Sequence, residues 1–393
     1  MVQKIVLVTA GGHISPFHAA MKRMCETLER RAPGRFELVG AKGGLSGLAK
    51  GDFVPIPYGV LEEDRAGSLI GADRTITDTD RILTVARSNG LYAVVMMGGD
   101  NHLGEAARLF EHGVNVVGYP KTMDGDLNSG VTLGYETAVT VGAMQTRYHH
   151  TAAITNGRVF FVGLFGRNTD WVVCAVSLYG GADRAIPAER KYSWDYIRAK
   201  INASLKENEQ RYGKKFAVIT FSEGAVITGE GIKCVRILPH LHYSEDGHKQ
   251  PKLHPEWIGM ELVRLARFEG LSAYFEAHTY SMRDSPPTET DKVLSRMAGE
   301  ECINMILDGD FGKSAVFEPD GSGFFRAGRA PLIEVAKQRR LEPTGFFDYA
   351  ELRSNPSFHA AYGDLFKASL GDPPKKDQLV YRNMLKSDWP VDR

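Results

Sequence analysis

The chain has 393 residues, and its 48 Lys plus Arg balance 48 Asp plus Glu, so the formal net charge is zero. Hydrophobic residues make up 43% and charged residues 24%, which is typical of a globular protein of two domains or one large α/β unit. The balanced charge excludes broad nucleic-acid binding, which needs a basic excess, and the lack of a long apolar run excludes a membrane span.

The cysteines and the N-terminal sequence indicate the compartment. Cys25, Cys174, Cys234 and Cys302 are far apart and form no CxxC pair, which is typical of reduced, mostly buried thiols. The N-terminal residues lack the apolar core and the cleavage site of a signal peptide. We therefore expect a cytoplasmic protein with no membrane or nucleic-acid partner.

Strands and helices are predicted to alternate along the first part of the chain. β-Branched runs predict buried strands, and apolar residues at helical spacing predict helices between them. In chain order the predicted elements are strand 4–9, helix 17–31, helix 80–89, strand 92–97, helix 104–112 and strand 114–117. Glycine-rich or Asp-rich turns follow the three strands.

The same alternation resumes after about residue 152. The predicted elements there are strand 159–165, helix 171–179, helix 196–211, strand 216–221, helix 257–269 and helix 289–307. The polar, His-rich stretch 239–255 predicts an exposed loop, and residues 373–377 predict a loose C-terminal segment. Strands that alternate with helices of this length predict parallel sheets covered by helices on both faces.

Three turns are candidates for binding an anion, because ligands of parallel sheets bind beyond the carboxyl ends of the strands. They are Gly11-Gly12, Gly98-Gly99-Asp100-Asn101 and Pro120–Asp126. Paired glycines let backbone amides approach an anion closely, but any tight turn can contain them. The third turn is therefore the more specific signal.

Two aspartates in that turn, Asp124 and Asp126, lie beside Lys121 and Thr122. Neighbouring carboxylates raise each other's pKa unless a cation or hydrogen-bond donors keep them ionised. Mg²⁺ that carries a phosphate would do so, and a second carboxylate could then act as general base on a substrate hydroxyl. The pattern favours phosphoryl transfer over the alternative, a solvated Asp/Lys turn.

Six segments resemble motifs of the phosphofructokinase family, in the family's order and spacing, over about residues 4–310. They are Gly98-Gly99-Asp100, Pro120–Asp126, Thr132–Val139, Leu164–Asn168, Ser222–Ala225, and Tyr280–Arg283 with Pro286 and Asp291. The resemblance is closer to the pyrophosphate-dependent branch. It implies two Rossmann-like three-layer α/β/α lobes with mostly parallel sheets.

The resemblance also implies a division of the chain. Residues 1–151 plus about 282–312 would form the lobe for the phosphoryl donor and Mg²⁺. Residues 152–281 plus about 313–340 would form the sugar-phosphate lobe, and 341–393 a C-terminal extension. A homodimer or homotetramer with sites shared across an interface is expected.

The implied reaction moves a phosphoryl group from pyrophosphate to the C1 hydroxyl of fructose 6-phosphate. It requires Mg²⁺, gives fructose 1,6-bisphosphate and phosphate, and is reversible, serving glycolysis or gluconeogenesis. ATP as the donor is the alternative within the family. An alternative of another class is a catalytically silent regulatory subunit of a hetero-oligomer.

The family's roles carry over residue by residue. Asp124 would be the base, Thr122 and Asp126 would order the hydroxyl and the metal, and Arg167 would stabilise the transferring group. Asp100 would hold Mg²⁺. The donor-binding residues would be Gly11, Gly12, Gly99, Asn101 and Lys121. The sugar-phosphate residues would be Arg158, Phe165, Gly166, Glu223, Tyr280 and Arg283, with Arg158 reaching the site of a neighbouring subunit.

Two side chains favour pyrophosphate over ATP. Asn101 fills space that the α-phosphate and ribose of ATP would need, and Lys121 places a cation beside a compact tetraanion. Some ATP-using relatives also carry this lysine.

Four departures from the family pattern bear on specificity. Ser15–His18 replaces the family's Pro-Gly-x-Asn, and Gly125 stands where Asn is usual. Tyr274 stands where ATP-dependent relatives have a phosphate-binding arginine. Asp284 adds negative charge near the expected 6-phosphate site, which leaves a longer substrate such as sedoheptulose 7-phosphate open.

Other polar and aromatic residues have simpler interpretations. His149-His150 and His240-x-His242 are expected to be solvated-loop or subunit-contact histidines, because no Cys or HExxH pattern supports zinc. Trp171 and Trp194 are expected to anchor helices in the core. The aromatic segment 345–349 is expected either to pack internally or to form an oligomer contact.

Overall fold

The computed structural model describes residues 2–11, 16–56, 58–73, 78–229 and 254–380. Its strands are β1 Gln3–Thr9, β2 Phe36–Ala41, β3 Phe53–Pro55, β4 Leu91–Gly98, β5 Val116–Pro120, β6 Val159–Leu164, β7 Arg184–Ile186, β8 Lys191–Ser193, β9 Ala217–Ser222, β10 Val226–Thr228, β11 Ala273–Ala277, β12 Lys313–Pro319, β13 Phe325–Pro331, β14 Phe347–Asp348 and β15 Arg353–Ser354.

The α-helices alternate with these strands through most of the chain. They are α1 Phe17–Arg31, α2 Leu45–Lys50, α3 Thr79–Ser88, α4 Asp100–Glu111, α5 Tyr135–Asn156, α6 Trp171–Gly180, α7 Trp194–Tyr212, α8 Pro255–Phe268, α9 Thr279–Asp284, α10 Glu289–Asp308, α11 Leu332–Val335, α12 Ser357–Phe366 and α13 Lys376–Leu379. None of these helices has the length and apolar character needed to cross a membrane.

The predicted mixed α/β fold with mostly parallel sheets is confirmed, with two shifted boundaries near the candidate site. Helix α4 begins at Asp100 rather than at residue 104, because Gly99 is its N-cap and an acidic residue suits the positive end of a helix. Strand β5 runs over Val116–Pro120 rather than 114–117. Asp100 and Asn101 therefore lie in the first helical turn.

The chain divides into two compact units. The described residues of Met1–Ala138 and Arg283–Arg339 form the first, and those of Val139–Ser244, Pro251–Met282 and Arg340–Arg393 form the second. The sequence interpretation placed about 313–340 with the sugar-phosphate lobe, and this is wrong for 313–339. Strand β12 pairs with β5 and β13 pairs with β12, so both belong to the sheet of the first unit.

The first unit is built on a seven-stranded sheet in the order β13-β12-β5-β4-β1-β2-β3. Its central strands pair in parallel, and β3 and β13 pair antiparallel at the edges. Strands β1, β4 and β5 are almost wholly buried, as expected for parallel strands covered on both faces. Helices α1 and α10 pack closely, since a Cβ on Gly299 would lie 2.7 Å from the Ala20 carbonyl oxygen.

The order of these strands creates a place for a ligand. The chain leaves β1 for β2 on one side, and later returns to β4 and β5 on the other side. Such a reversal opens a crevice beyond the carboxyl ends of β1 and β4. The segments that follow β1, β4 and β5 meet at this edge, where the Ala10 N–H donates to the Met97 carbonyl at 2.9 Å.

The second unit contains a four-stranded parallel sheet in the order β11-β6-β9-β7. Trp171 and Trp194 are 2% and 7% exposed, which confirms them as core residues of their helices. The aromatic segment near residue 346 packs internally, because Phe346 contacts Trp171 edge-on. Cys174 is buried here, as Cys302 is in the first unit, and both are free thiols together with the half-buried Cys25; Cys234 lies outside the described residues.

The C-terminal segment is more ordered than the sequence interpretation held. Lys376 donates to both carboxylate oxygens of Asp183 at 2.8 Å. Asp377 accepts hydrogen bonds from Arg211 and Tyr212 of α7. These contacts hold residues 376–377 against the second unit, so the predicted loose segment is wrong at this point.

Candidate active site

The acidic turn after β5, residues 121–126, lies at the crevice of the first unit. Its shape depends on two local features. The Asp124 N–H donates to the Thr122 hydroxyl at 3.1 Å, which closes a small turn. Gly125 has φ +72°, a left-handed conformation that glycine and, less often, asparagine adopt easily. The family's Asn and this chain's Gly therefore suit the same backbone conformation.

Three carboxylates act on one another in the first unit. Asp126 is 6% exposed, and its burial together with the charges of Asp124 and Asp100 raises its pKa to about 8. Gln338 donates to Asp126 Oδ2 at 2.7 Å and partly offsets this rise. The structure thus brings Asp100, Asp124 and Asp126 close enough to interact.

Lys121 joins the turn to the end of β1. Its side chain is 4% exposed, and its Nζ donates to the Ala10 carbonyl at 3.2 Å. A Cβ on Gly11 would lie 3.2 Å from this Nζ, and Gly11 has φ +87°, so the position suits glycine. The ammonium group is therefore held at the crevice beyond the carboxyl ends of β1 and β4. Gly12 lies outside the described residues.

The Gly98-Gly99 pair has two roles: Gly98 allows close packing against His102, and Gly99 is the N-cap of α4. A Cβ on Gly98 would lie 2.5 Å from the Cβ of His102. A Cβ on Gly99 would lie 3.7 Å from the Lys121 carbonyl oxygen, which places α4's N-terminus beside the acidic turn. Asn101 is exposed in the first turn of this helix.

Two residues from the late part of the chain hold the acidic turn, and the sequence interpretation missed both. Besides the contact from Gln338, the Arg339 N–H donates to the Asp126 carbonyl at 2.7 Å, and its guanidinium donates to the Gly125 carbonyl at 3.0 Å. Neither residue lies in a recognised motif. Only the folded sheet brings them to residues 125–126.

Arg283 and Asp291 have different positions in the first unit. Arg283 contacts the sulfur of Met123, one residue from Asp124, with Nη2 at 3.7 Å. Asp291 is fully buried and accepts hydrogen bonds from the Gly134 N–H at 3.1 Å and from the Thr137 N–H and hydroxyl. Asp291 therefore caps the start of α5.

In the second unit, the ends of β6 and β9 bring four of the expected sugar-phosphate and catalytic residues together. The Glu223 N–H donates to the Leu164 carbonyl at 2.9 Å, and the Gly224 N–H donates to the Gly166 carbonyl at 3.2 Å. A Cβ on Gly224 would lie 1.9 Å from the Arg167 carbonyl oxygen, so this approach requires glycine. Phe165, Gly166, Arg167 and Glu223 thus share one edge.

Arg158 and Tyr280 are not part of that group of contacts. Arg158 precedes β6 and Arg167 follows it, so the six residues of the strand separate them by about 20 Å. The Arg158 guanidinium lies 4.2 Å from the centre of the Tyr274 ring, and Arg267 approaches the same ring at 5.4 Å. Tyr280 is 57% exposed in α9.

Of the two histidine pairs expected in a solvated loop or a subunit contact, the structure describes His149-His150, and it places neither residue in a loop. His149 and His150 both lie in α5, and His150 is fully buried, with Nε2 3.2 Å from the Gly180 carbonyl oxygen. Adjacent residues of a helix point in different directions, so the two rings lie on different faces of α5. Their adjacency in the sequence did not reveal this. His240 and His242 lie outside the described residues.

The carboxylates fit Mg²⁺. This ion prefers one or two carboxylates together with phosphate oxygens, and a cation would relieve the mutual repulsion that raises the pKa of Asp126. Asp100 and Asp126 are therefore suitable ligands. Asp124 is half-buried and can serve another role.

Comparison with known proteins identifies related chains. Pyrophosphate–fructose 6-phosphate 1-phosphotransferase of Amycolatopsis methanolica is 28% identical over 359 residues, covering 89% of this chain and 99% of that protein. ATP-dependent 6-phosphofructokinase 3 of Streptomyces coelicolor is 27% identical over 290 residues, covering 70% of this chain and 80% of that protein.

Solved structures and a family profile agree with these relatives. The crystal structure of pyrophosphate-dependent phosphofructokinase from Marinobacter aquaeolei matches with a TM-score of 0.75 at 16% identity, over 96% of this chain and 94% of that one, which shows the fold. The profile described as phosphofructokinase matches residues 4–306. This chain belongs to the phosphofructokinase family.

Proposed function

We propose that the protein is an Mg²⁺-dependent phosphotransferase that moves a phosphoryl group from pyrophosphate to the C1 hydroxyl of fructose 6-phosphate. The products are fructose 1,6-bisphosphate and phosphate. The observation that carries the proposal is the arrangement of the crevice in the first unit. A buried ammonium group there lies beside Gly11, and three interacting carboxylates follow β4 and β5.

In the proposed mechanism, Asp124 accepts the proton of the C1 hydroxyl as the C1 oxygen attacks the terminal phosphorus of pyrophosphate. The bond from that phosphorus to the bridging oxygen breaks, and its electron pair leaves with phosphate. In the reverse direction Asp124 returns the proton to the C1 oxygen. When bound, Mg²⁺ would neutralise donor charge, and Asp100 and Asp126 would hold it.

Lys121 and the N-terminus of α4 would bind the donor. The ammonium group is fixed by its contact with Ala10, so it can pair with a donor phosphate without first losing much side-chain freedom. Backbone N–H groups at the start of α4 add the positive end of the helix. Asn101 would restrict the space beyond the second phosphate and so disfavour ATP.

We assign Arg167 to the charge on the transferring phosphoryl group, and we assign the sugar phosphate to Phe165, Gly166, Glu223, Tyr280 and Arg283. Their motifs support this assignment, and so do the shared strand ends of Gly166 and Glu223. Arg158 lies at the other end of β6, and we assign it to the sugar phosphate of a neighbouring copy in a homo-oligomer.

The test compares donors with the purified full chain, Mg²⁺ and fructose 6-phosphate. We expect turnover with pyrophosphate and at most weak turnover with ATP, and we expect phosphate plus fructose 1,6-bisphosphate to regenerate pyrophosphate. Lys121→Met should raise KM for pyrophosphate, whereas Lys367→Met, on an exposed residue of the second unit, should not.

Three other results are possible in this assay, and each would change a different part of the proposed function. Turnover with ATP alone would overturn the donor assignment and favour the function that the Streptomyces relative's name describes. No turnover with either donor, from a protein that still binds fructose 6-phosphate, would favour a silent regulatory subunit. Faster turnover with sedoheptulose 7-phosphate would change the acceptor and leave the donor proposal intact.

A further inference from the structure

Two histidines and a glutamate of the second unit bring their side chains together. His149 lies in α5, Glu276 in β11, and His278 follows that strand. The Nε2 atoms of the two imidazoles are 2.7 Å apart, and Oε2 of Glu276 is 3.6 Å from Nε2 of His149. One ligand atom from each residue lies within 4.8 Å of the other two.

The sheet holds the His149 ring and the His278 backbone in place. The His149 ring stacks on Phe160 of β6, with ring centres 4.1 Å apart and planes 14° apart. The His278 N–H donates to the Gly163 carbonyl at 3.0 Å, and its carbonyl accepts from the Ser281 hydroxyl at 3.0 Å. Glu276 is more exposed, with 55% of its side chain accessible, so it can adjust its position.

The donor atoms of the cluster suit a cation. The His149 and His278 side chains are only 12% and 9% exposed, and their ring nitrogens face each other and the Glu276 carboxylate. Two neutral imidazoles and one carboxylate are ligands that zinc and similar metals accept well, whereas Mg²⁺ prefers oxygen ligands alone.

We propose that His149, Glu276 and His278 bind one divalent transition-metal ion of the zinc class, with water in the remaining position. Two nitrogens on a tetrahedral zinc ion lie about 3.4 Å apart, given bonds of about 2.0–2.1 Å. The rings therefore need to separate by less than about 1 Å from their present spacing. The ion would link α5 to β11, the edge strand of the four-stranded sheet.

Binding changes the position of one proton. Without metal, one Nε2–H donates to the other Nε2 across the 2.7 Å contact. With metal, both Nε2 lone pairs point at the ion, so the donating ring carries its proton on Nδ1 instead. The rings stay neutral, and this step releases no proton.

The experiment uses the full chain after treatment with a chelator, with excess Mg²⁺ present to fill sites made of oxygen ligands. Zn²⁺ binding is followed by calorimetry, and Co²⁺ binding by its visible absorption. We expect one strong site in the wild type. His149→Gln and Glu276→Gln should each weaken it by at least about 10-fold, a loss typical of disturbing a metal site.

Two control variants separate this cluster from other histidines. His359→Gln changes a histidine that contacts Tyr179 and Asp372, and it should bind Zn²⁺ like the wild type. The double variant His240→Gln with His242→Gln tests the His-rich stretch in the same way. Glu276 is exposed, so its variant reports on the site even if His149→Gln does not fold.

Two results would overturn the proposal. One is equal Zn²⁺ affinity in the wild type, His149→Gln and Glu276→Gln. The other is loss of binding in the His240 and His242 double variant alone. Activity is not the readout, so the result is independent of the phosphotransferase proposal.

Discussion

Two carboxyl groups, Asp126 in the first unit and Asp183 in the second, are buried to a similar degree but differ in charge balance. Their exposures are 6% for Asp126 and 8% for the Asp183 side chain. The pKa of Asp126 is raised by burial and by two other carboxylates. Burial also acts on Asp183, but Lys376, His150 and hydrogen bonds hold its pKa below the ordinary value.

The difference in surrounding charge distinguishes a carboxylate with a structural role, Asp183, from one suited to binding a cation, Asp126. Asp183 receives 2.8 Å hydrogen bonds from Lys376 and from the Val218 N–H, so its charge is compensated within the chain. Asp126 lies among like charges, and a bound cation would supply the compensation. Burial alone does not identify a functional acid; the sign of the surrounding charge does.

The largest expected effect comes from removing the cation that compensates Asp183. Lys376→Met leaves a buried carboxylate without its ammonium partner, which costs about 3–5 kcal/mol. We expect a clearly lower urea midpoint, measured by circular dichroism, and unchanged stability for Lys367→Met. Adding Asp183→Asn to Lys376→Met should recover part of the lost stability. If Lys376→Met had the urea midpoint of the wild type, the charge of Asp183 would not depend on Lys376, and the contrast with Asp126 would be refuted.

The next effect concerns the acid to which we assign catalysis. Asp124→Ala should lower kcat by at least about 10²-fold, equivalent to about 2.7 kcal/mol, with little change in substrate KM, because it removes the general base. Steady-state assays with the proposed donor measure this. Asp195→Ala, on a side chain 80% exposed, is the control. A nearly normal rate in Asp124→Ala would remove Asp124 from the base role.

A smaller effect tests whether Gln338 positions Asp126. Gln338→Met removes the 2.7 Å hydrogen bond that lowers the pKa of Asp126, so that pKa should rise further. We expect kcat to fall by about 10-fold and the acidic limb of the pH profile to move to higher pH. Arg326→Met, on an exposed arginine of β13, should leave the profile unchanged. A lower kcat with an unmoved profile would indicate a merely structural role.

The last effect is on the stability of the metal-free protein. The folded pKa of Asp126 is about 8 against about 4 when unfolded, so between these values the folded state binds more protons and stability falls as pH rises. Asp126→Asn removes this cost. In a chelator its Tm should exceed that of the wild type by a few degrees at pH 8 and by less at pH 5. A difference that does not change with pH would contradict the raised pKa.

The sequence predicted the parts of the site that lie in local patterns. Buried β-branched runs located β1, β4 and β5, and the turn after β5 was recognised from Asp124 and Asp126 with their neighbours. The prediction failed for contacts that depend on the pairing of strands far apart in the chain. Gln338 and Arg339 reach the acidic turn only through the hairpin of β12 and β13, whose place in the first sheet the sequence did not reveal.

Helical geometry accounts for the misplaced histidines. The adjacent His149 and His150 were expected in a solvated loop or a subunit contact, yet in α5 one ring faces His278 and the other faces Gly180. His278 itself drew no attention, because its partner lies 129 positions earlier in the chain. Contacts at that separation leave no trace in periodicity or spacing.

The bond between Asp126 and Gln338 spans 212 positions, and the whole second unit except its last segment is encoded between them. During synthesis, residues 121–126 leave the ribosome long before residue 338 exists. The side chains of the acidic turn after β5 are therefore fixed only once β12 and β13 have been synthesised and have joined the sheet. An incomplete chain would contain the acidic turn without its contacts to Gln338 and Arg339, so the binding of Mg²⁺ and donor that we propose would become possible only late in translation.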